Sequence, residues 1–194
     1  RLGFDAVGND TFKKLVLARV VEPTSKADTL RVWDELGVPG APSLSTVWRT
    51  LARSVEQDWR SKIAAAAYAH ATPSAPLTVV LYDVTTLYFE AEREDKLRKV
   101  GMSKERRVDP QILVGLLVDQ GGIPLEVHEF AGNRGETLTL LPVLDQFRER
   151  HSATELVVVA DAGMLSAANL NRLEDAGFGF IVGSRTSSGW CAPS

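Results

Sequence analysis

Asp83 and Asp161 are the strongest candidates for catalytic residues in this sequence. Asp83 lies inside an apolar, β-branched run, and Asp161 directly follows a second one. An aspartate within a strand is seldom buried without a partner, and open α/β sheets bind ligands at the carboxyl ends of strands. Two carboxylates without a nearby His or Cys suit Mg²⁺ or Mn²⁺, and a pair of such ions can promote phosphodiester cleavage. The residues therefore predict metal-assisted phosphoryl transfer on nucleic acid.

A purely structural role is the alternative for each aspartate. Asp161 begins an Asp-Ala-Gly sequence that is ordinary turn chemistry before a helix. Thr85 and Thr86 could satisfy Asp83 by hydrogen bonds. The two residues taken together favour a functional site.

A short basic segment, residues 98–107, is the predicted contact for DNA phosphates. It has five Lys or Arg against one acid, in a chain of net charge -3, so any nucleic-acid partner must be held by a local patch. The predicted DNA-binding residues are Lys99, Lys104, Arg106 and Arg107. The alternative is a solvated loop whose charge is balanced by the acids of residues 90–95.

The remaining candidates are weaker. His70, His128 and His151 lack the mutual spacing of metal ligands and are interpreted as surface or packing residues. Residues 44–53 could form the second helix of a helix-turn-helix, although Trp48 and Leu51 could equally belong to the core of a helical lobe.

The elements that would position the aspartates follow from the hydrophobic pattern. Helical spacing predicts helices over 12–21, 26–36, 46–55 and 57–71, the third capped by Ser45. Strands are predicted over 77–89, 112–119, 123–130, 156–160 and 178–182, with helices over 139–150 and 167–176.

This order predicts an α/β fold, a ribonuclease-H-like mixed sheet preceded by a helical lobe. Three strands form a meander, after which helix and strand alternate, and a helical crossover places the fourth strand parallel to and beside the first. Asp83 and Asp161 would then converge.

Composition restricts the class of protein. The chain has 44% hydrophobic and 24% charged residues and a single cysteine, Cys191, which is typical of a globular protein in a reducing cytosol. The longest strongly apolar run, residues 112–118, is far shorter than a membrane span. We therefore expect no membrane partner.

Several motifs give the sequence a family resemblance. The segments YDVTTLYFE, GMSKERRVDPQILVGLL, GIPLEVHEFAGNRGET and VVVADAGMLS resemble the DDE transposases of bacterial insertion sequences, in the insertion-sequence-four group. The segments EPTSKADTLRVWDELG and LSTVWRTL resemble the helical region of that family. The resemblance implies magnesium, nicking and strand transfer at element ends, and double-stranded DNA as partner, both terminal repeats and target. It places Asp83 as the first catalytic aspartate and Asp161 as the second.

The resemblance also implies a third ligand, a glutamate well downstream of the second aspartate. Only Glu174 and Asp175 follow Asp161, and neither occupies that place. We therefore expect a truncated, inactive transposase: a helical lobe over 1–72, an incomplete catalytic core over 77–185 and an unrelated tail over 186–194. The alternatives are a DNA-binding remnant, which would dimerise or pair with a full-length transposase, and another ribonuclease-H-like nuclease.

Overall fold

A computed structural model describes residues 3–90, 93–101, 109–153, 155–161 and 167–183. The chain divides into two compact units, Arg1–His70 and Ala71–Ser194. The described residues include no helix long and apolar enough to cross a membrane.

The first unit is helical. A short 3-10 helix, Phe4–Val7, precedes α1 (Asp10–Val21), α2 (Thr29–Glu35), α3 (Leu44–Glu56) and α4 (Trp59–Ala71). The predicted N-cap Ser45 is wrong, because α3 begins at Leu44 and Ser43 is the cap. Ser43 is extended, and its hydroxyl accepts a hydrogen bond from the Thr46 amide at 3.3 Å.

The core of the helical unit joins its first three helices. Its buried members are Leu15, Ala18, Val32, Trp33 and Val47. Leu51 packs against this cluster, as one interpretation of α3 predicted, whereas the Trp48 side chain is 52% exposed and lies outside the core. The core interpretation therefore holds for Leu51 and not for Trp48, because Trp48 is turned about 100° around the helix from buried Val47.

The second unit contains the sheet. Its strands are β1 (Val79–Tyr88), β2 (Gln111–Asp119), β3 (Pro124–Ala131), β4 (Val157–Ala160) and β5 (Gly179–Val182). Helices α5 (Leu140–His151) and α6 (Ala167–Asp175) connect β3 to β4 and β4 to β5.

The strand order is β3-β2-β1-β4-β5. The first three strands are antiparallel, and β4 and β5 are parallel to β1. The prediction of a ribonuclease-H-like mixed sheet, with the fourth strand beside the first, is confirmed. Both parallel crossovers proceed in the same direction across the sheet, which places their helices on one face.

The two faces of the sheet differ in burial. The helix-covered face buries Tyr82, Leu117 and Val158 against α5, whose Phe147 is fully buried. Arg148 of α5 donates to the Ala176 carbonyl oxygen at 2.7 Å and so fastens α5 to the end of α6. The opposite face is more open, and it exposes the large apolar side chains of Leu81, Leu87, Val127 and Ile181.

Candidate active site

Asp83 and Asp161 lie at neighbouring positions on two parallel strands. The register pairs Tyr82 of β1 with Ala160 of β4, so the aspartates are the next residues along each chain. Neighbouring strands are about 4.8 Å apart, and both aspartate side chains are exposed. The structure therefore brings together the two residues that the sequence predicted to converge.

The two carboxylates share one shallow cleft with a volume of about 310 Å³. Its other lining residues come from β1, β2 and β4 and are mostly apolar: Leu81, Tyr82, Leu116, Val118, Val159 and Ala160. Among the described residues that line the cleft, the two carboxylates therefore have mostly apolar neighbours, and water or a ligand can supply their polar contacts. The cleft lies at the carboxyl end of β4, where open α/β sheets bind their ligands.

The expectation that Asp83 is buried is wrong. The apolar run around it is typical of a buried strand, but β1 alternates: Val80 and Tyr82 are buried, whereas Leu81 and Asp83 are exposed. Side chains of successive strand residues point to opposite faces, so Asp83 shares the open face with Leu81. A buried partner is therefore not needed to explain this carboxylate.

Local packing fixes the position of Asp83. β1 is the central strand, and Asp83 pairs with Leu116 of β2 on one side while β4 lies on the other. The preceding residue, Tyr82, extends over Gly115 of β2, and an added Cβ at Gly115 would lie 2.3 Å from the Tyr82 Oη. The absence of a side chain at Gly115 thus makes room for the buried ring that anchors the strand beneath the site.

The donor set fits a hard divalent cation. Mg²⁺ is commonly held by one or two carboxylates, with waters and substrate phosphates as its other ligands. Asp83 and Asp161 supply two carboxylates that are open to solvent. Within the described residues, however, no group of three His, Cys, Asp or Glu could hold a metal ion. These residues provide a partial coordination sphere.

Of the four predicted DNA contacts, only Lys99 belongs to the described residues, and it lies away from the cleft. Lys99 pairs with Gln111 in a backbone bridge, and its ammonium group forms a 3.2 Å ion pair with Glu94. Gln111 faces Tyr88, five residues from Asp83 along β1, or about 17 Å. Lys104, Arg106 and Arg107 lie outside the described residues.

One buried cluster escaped the sequence analysis. Glu126 of β3 is 3% exposed, and its carboxylate accepts hydrogen bonds from Arg150 at 2.5 Å, His128 at 2.8 Å and His151 at 3.2 Å. Burial raises its pKa, but the hydrogen bonds from both histidines and the charge of Arg150 outweigh burial and lower the pKa to about 2.

The cluster joins β3 to the end of α5. The sequence interpreted both histidines as surface or packing residues and gave no sign that they share a carboxylate. The available signal was the two-residue spacing of Glu126 and His128, which places both side chains on one face of a strand.

Comparison with protein families identifies the domain. The profile described as "Transposase DDE domain" matches residues 74–189, more than half of the chain and all five strands. The chain belongs to the DDE transposase domain family. Such domains generally depend on divalent metal ions, which agrees with the exposed carboxylate pair.

Solved transposase structures are similar to this DDE transposase domain protein. The Mos1 transposase paired-end complex with left transposon end has 11% identity and a TM-score of 0.39, over 92% of this chain and 60% of that one. The piggyBac transposase synaptic complex with hairpin DNA has 13% identity and a TM-score of 0.49, over 94% and 42% respectively. The chain thus spans about 60% or less of these proteins. No curated protein sequence matches it.

Proposed function

We propose that this chain is part of an insertion-sequence transposase of the insertion-sequence-four group, with Asp83 and Asp161 as two of its metal-binding catalytic residues. The proposal rests chiefly on one observation: the two carboxylates occupy neighbouring strand positions inside the matched DDE domain. The substrate would be double-stranded DNA at the element ends, followed by a target duplex.

The roles of the aspartates follow from their setting. A bound Mg²⁺ or Mn²⁺ would supply charge neutralisation and nucleophile activation at a phosphodiester. Asp83, on the central strand, would fix one side of the ion, and Asp161, just beyond the end of β4, would fix the other. The apolar side chains of the cleft would limit the number of competing waters. The packing of Tyr82 against Gly115 would keep Asp83 in register.

Metal binding tests the site separately from catalysis. We expect Mn²⁺ to bind the full chain, with at least a tenfold weaker affinity in Asp83→Asn and in Asp161→Asn, because each change removes a charged ligand. Glu149→Gln is the matched control, an exposed carboxylate on α5. Equal Mn²⁺ affinity in all four proteins would contradict the assignment of the aspartates.

DNA cleavage tests the activity. In the described residues, Asp83 and Asp161 have no third carboxylate close enough to complete a metal site. We therefore propose that the 194 residues alone cleave labelled element-end DNA weakly or not at all. Efficient cleavage that requires Mg²⁺ and disappears in Asp83→Asn would establish the active site and overturn the proposed inactivity.

The lack of a third carboxylate beside the aspartate pair in the described residues favours a second candidate, a DNA-binding protein without catalysis. Salt-dependent binding of duplex DNA with no metal-dependent cleavage would support it. Cleavage of the RNA strand in an RNA–DNA hybrid, with no action on duplex DNA, would contradict both candidates.

A further inference from the structure

Helix α1 carries a stripe of large apolar side chains that are exposed. The stripe consists of Val16, Leu17, Val20 and Val21, of which Val20 and Val21 are the most open, at 78% and 62% exposed. These positions recur at intervals of three and four, so they follow one side of the helix, while the core residue Leu15 faces another side. A single exposed apolar residue is ordinary on a soluble protein, whereas a contiguous patch marks an interaction surface.

The stripe continues into an apolar groove at the N-terminal half of the same helix. The groove has a volume of about 570 Å³ and lies between the short 3-10 helix, α1 and α4. Its apolar lining residues are Phe4, Val7, Phe12, Val16, Leu17 and Ile63. The Phe12 ring packs edge-on against the buried Trp59 ring of α4, with the ring centroids 5.2 Å apart, and this contact fixes one wall. The groove is therefore suited to aliphatic side chains on a partner helix.

The charged residues at the rim of the groove offset one another. The Lys13 ammonium lies 3.9 Å from the Asp5 carboxylate, and the Lys14 ammonium lies 2.9 Å from the Asp10 carboxylate. These four groups carry two positive and two negative charges, so the rim selects neither a polyanion nor a cation. The groove therefore favours an apolar occupant without a strong net charge.

The most exposed part of the stripe and the groove lie toward opposite ends of one helix, so the surface is self-complementary. An isologous interface uses the same surface twice, and a two-fold axis beside residues 16 and 17 would pair two copies of α1 antiparallel. Val21 of one copy would then lie level with Phe12 of the second copy, at its groove, and Val20 level with Lys13. Lys13 would in turn lie beside the C-terminal end of the second copy's helix, where the helix dipole is negative.

We propose that the stripe and the groove form an interface between two copies of this chain, paired antiparallel along α1 without DNA or metal ions. The stripe and Phe4 expose about 300 Å² of apolar side-chain surface in each copy, less than the roughly 800 Å² per partner of a standard interface. The dimer should therefore be weak, with a dissociation constant on the order of 10–100 μM. This inference does not rest on the proposed function, since it involves neither Asp83 nor Asp161.

Sedimentation equilibrium of the full chain in EDTA, without DNA, measures the association. Val20→Asp would place a carboxylate against the apolar groove of the second copy, so its self-association should be at least about tenfold weaker than that of wild type. Val55→Asp is the matched control, because Val55 is 81% exposed on α3 and lies outside the stripe. It should associate like wild type.

Far-UV circular dichroism and thermal melting establish that each variant is folded. Val20→Thr is a second, milder variant of nearly the same shape, which exchanges one methyl group for a hydroxyl. It should weaken association severalfold while it leaves the melting temperature close to that of wild type, because Val20 is exposed in the single chain.

Cysteine cross-linking tests the antiparallel arrangement. In a Cys191→Ser background, which removes the only native thiol, Leu17→Cys lies next to the two-fold axis and should form a disulfide between copies under mild oxidation. The two copies of Val20→Cys would be separated by about 10 Å along the helix axes, too far for a disulfide, and should cross-link much more slowly. A parallel pair would cross-link both variants equally and would contradict the proposed arrangement.

Three other outcomes would overturn the proposal. They are a wild-type chain that remains monomeric up to about 500 μM, equal association of Val20→Asp and Val55→Asp, and association that occurs only when DNA is present. Each would reject the interface and leave the proposed function standing, because Mn²⁺ binding by Asp83 and Asp161 is measured separately.

Discussion

Replacing Glu126 tests whether its buried cluster stabilises the sheet unit. The carboxylate is held by Arg150, His128 and His151, which lower its pKa from 4.5 to about 2. This shift corresponds to about 3 kcal/mol of native-state stability at neutral pH. In Glu126→Gln the amide keeps part of the hydrogen bonding, and the partly exposed Arg150 regains water, so we expect a loss of about 2–3 kcal/mol.

The pH dependence of stability separates this explanation from simple loss of packing. A lowered carboxyl pKa contributes stability above the unfolded pKa of 4.5, and that stability is lost as pH falls toward the folded value near 2. The difference between wild type and Glu126→Gln should therefore shrink from about 2–3 kcal/mol at pH 7 to about 1 kcal/mol or less at pH 3. Urea unfolding at both pH values measures it.

The control for this experiment is Glu149→Gln, an exposed carboxylate on the same helix as Arg150. It should change the free energy of unfolding by less than about 0.5 kcal/mol at either pH. The reasoning fails if Glu126→Gln is as stable as wild type at pH 7, or if its deficit is the same at pH 3 as at pH 7.

Three further substitutions test local packing and capping. Gly115→Ala should lower the free energy of unfolding by about 1–3 kcal/mol in urea titrations, because its Cβ would lie 2.3 Å from the Tyr82 Oη; an unchanged midpoint would contradict this. Tyr82→Phe should change stability by less than about 1 kcal/mol, since this buried hydroxyl lies near the Thr139 side chain without completing a hydrogen bond of ordinary geometry among the described residues; a clear drop in melting temperature would contradict this. Asn9→Ala should cost the helical unit about 1 kcal/mol in thermal melts, because Asn9 accepts the Phe12 amide at 2.9 Å; Asn9→Asp should retain the stability.

The sequence predicted the sheet well because local patterns and a connection rule determine it. A short turn pairs β2 with β3, β1 pairs with β2 across the longer connection of residues 89–110, and a helical crossover brings β4 parallel to β1. The adjacency of Asp83 and Asp161 followed from the same steps. Strand and helix ends coincide with the predicted ones or differ from them by at most three residues, as the start of α3 illustrates.

The errors have a different cause. The burial of a strand depends on which elements cover each face of its sheet. The β-branched run around Asp83 does not indicate whether one face or both are covered. Likewise, the hydrophobic spacing of α3 could not decide whether Trp48 or Leu51 faces the core. The Glu126 cluster joins residues 24 and 25 positions apart, a contact created only when α5 packs on β3.

The two units differ in net charge. The unit that contains the aspartate pair has five more acids than bases, and its exposed carboxylates would repel a phosphodiester that approached without a neutralising cation. Lys99, a predicted contact for DNA phosphates, is paired with Glu94. Residues 1–70 have two more bases than acids, so the negative charge of the chain is concentrated in the unit that contains the aspartates. Under the proposed function a divalent cation would offset that charge next to a phosphodiester, so the reaction should depend on the metal ion and be lost when a chelator removes it.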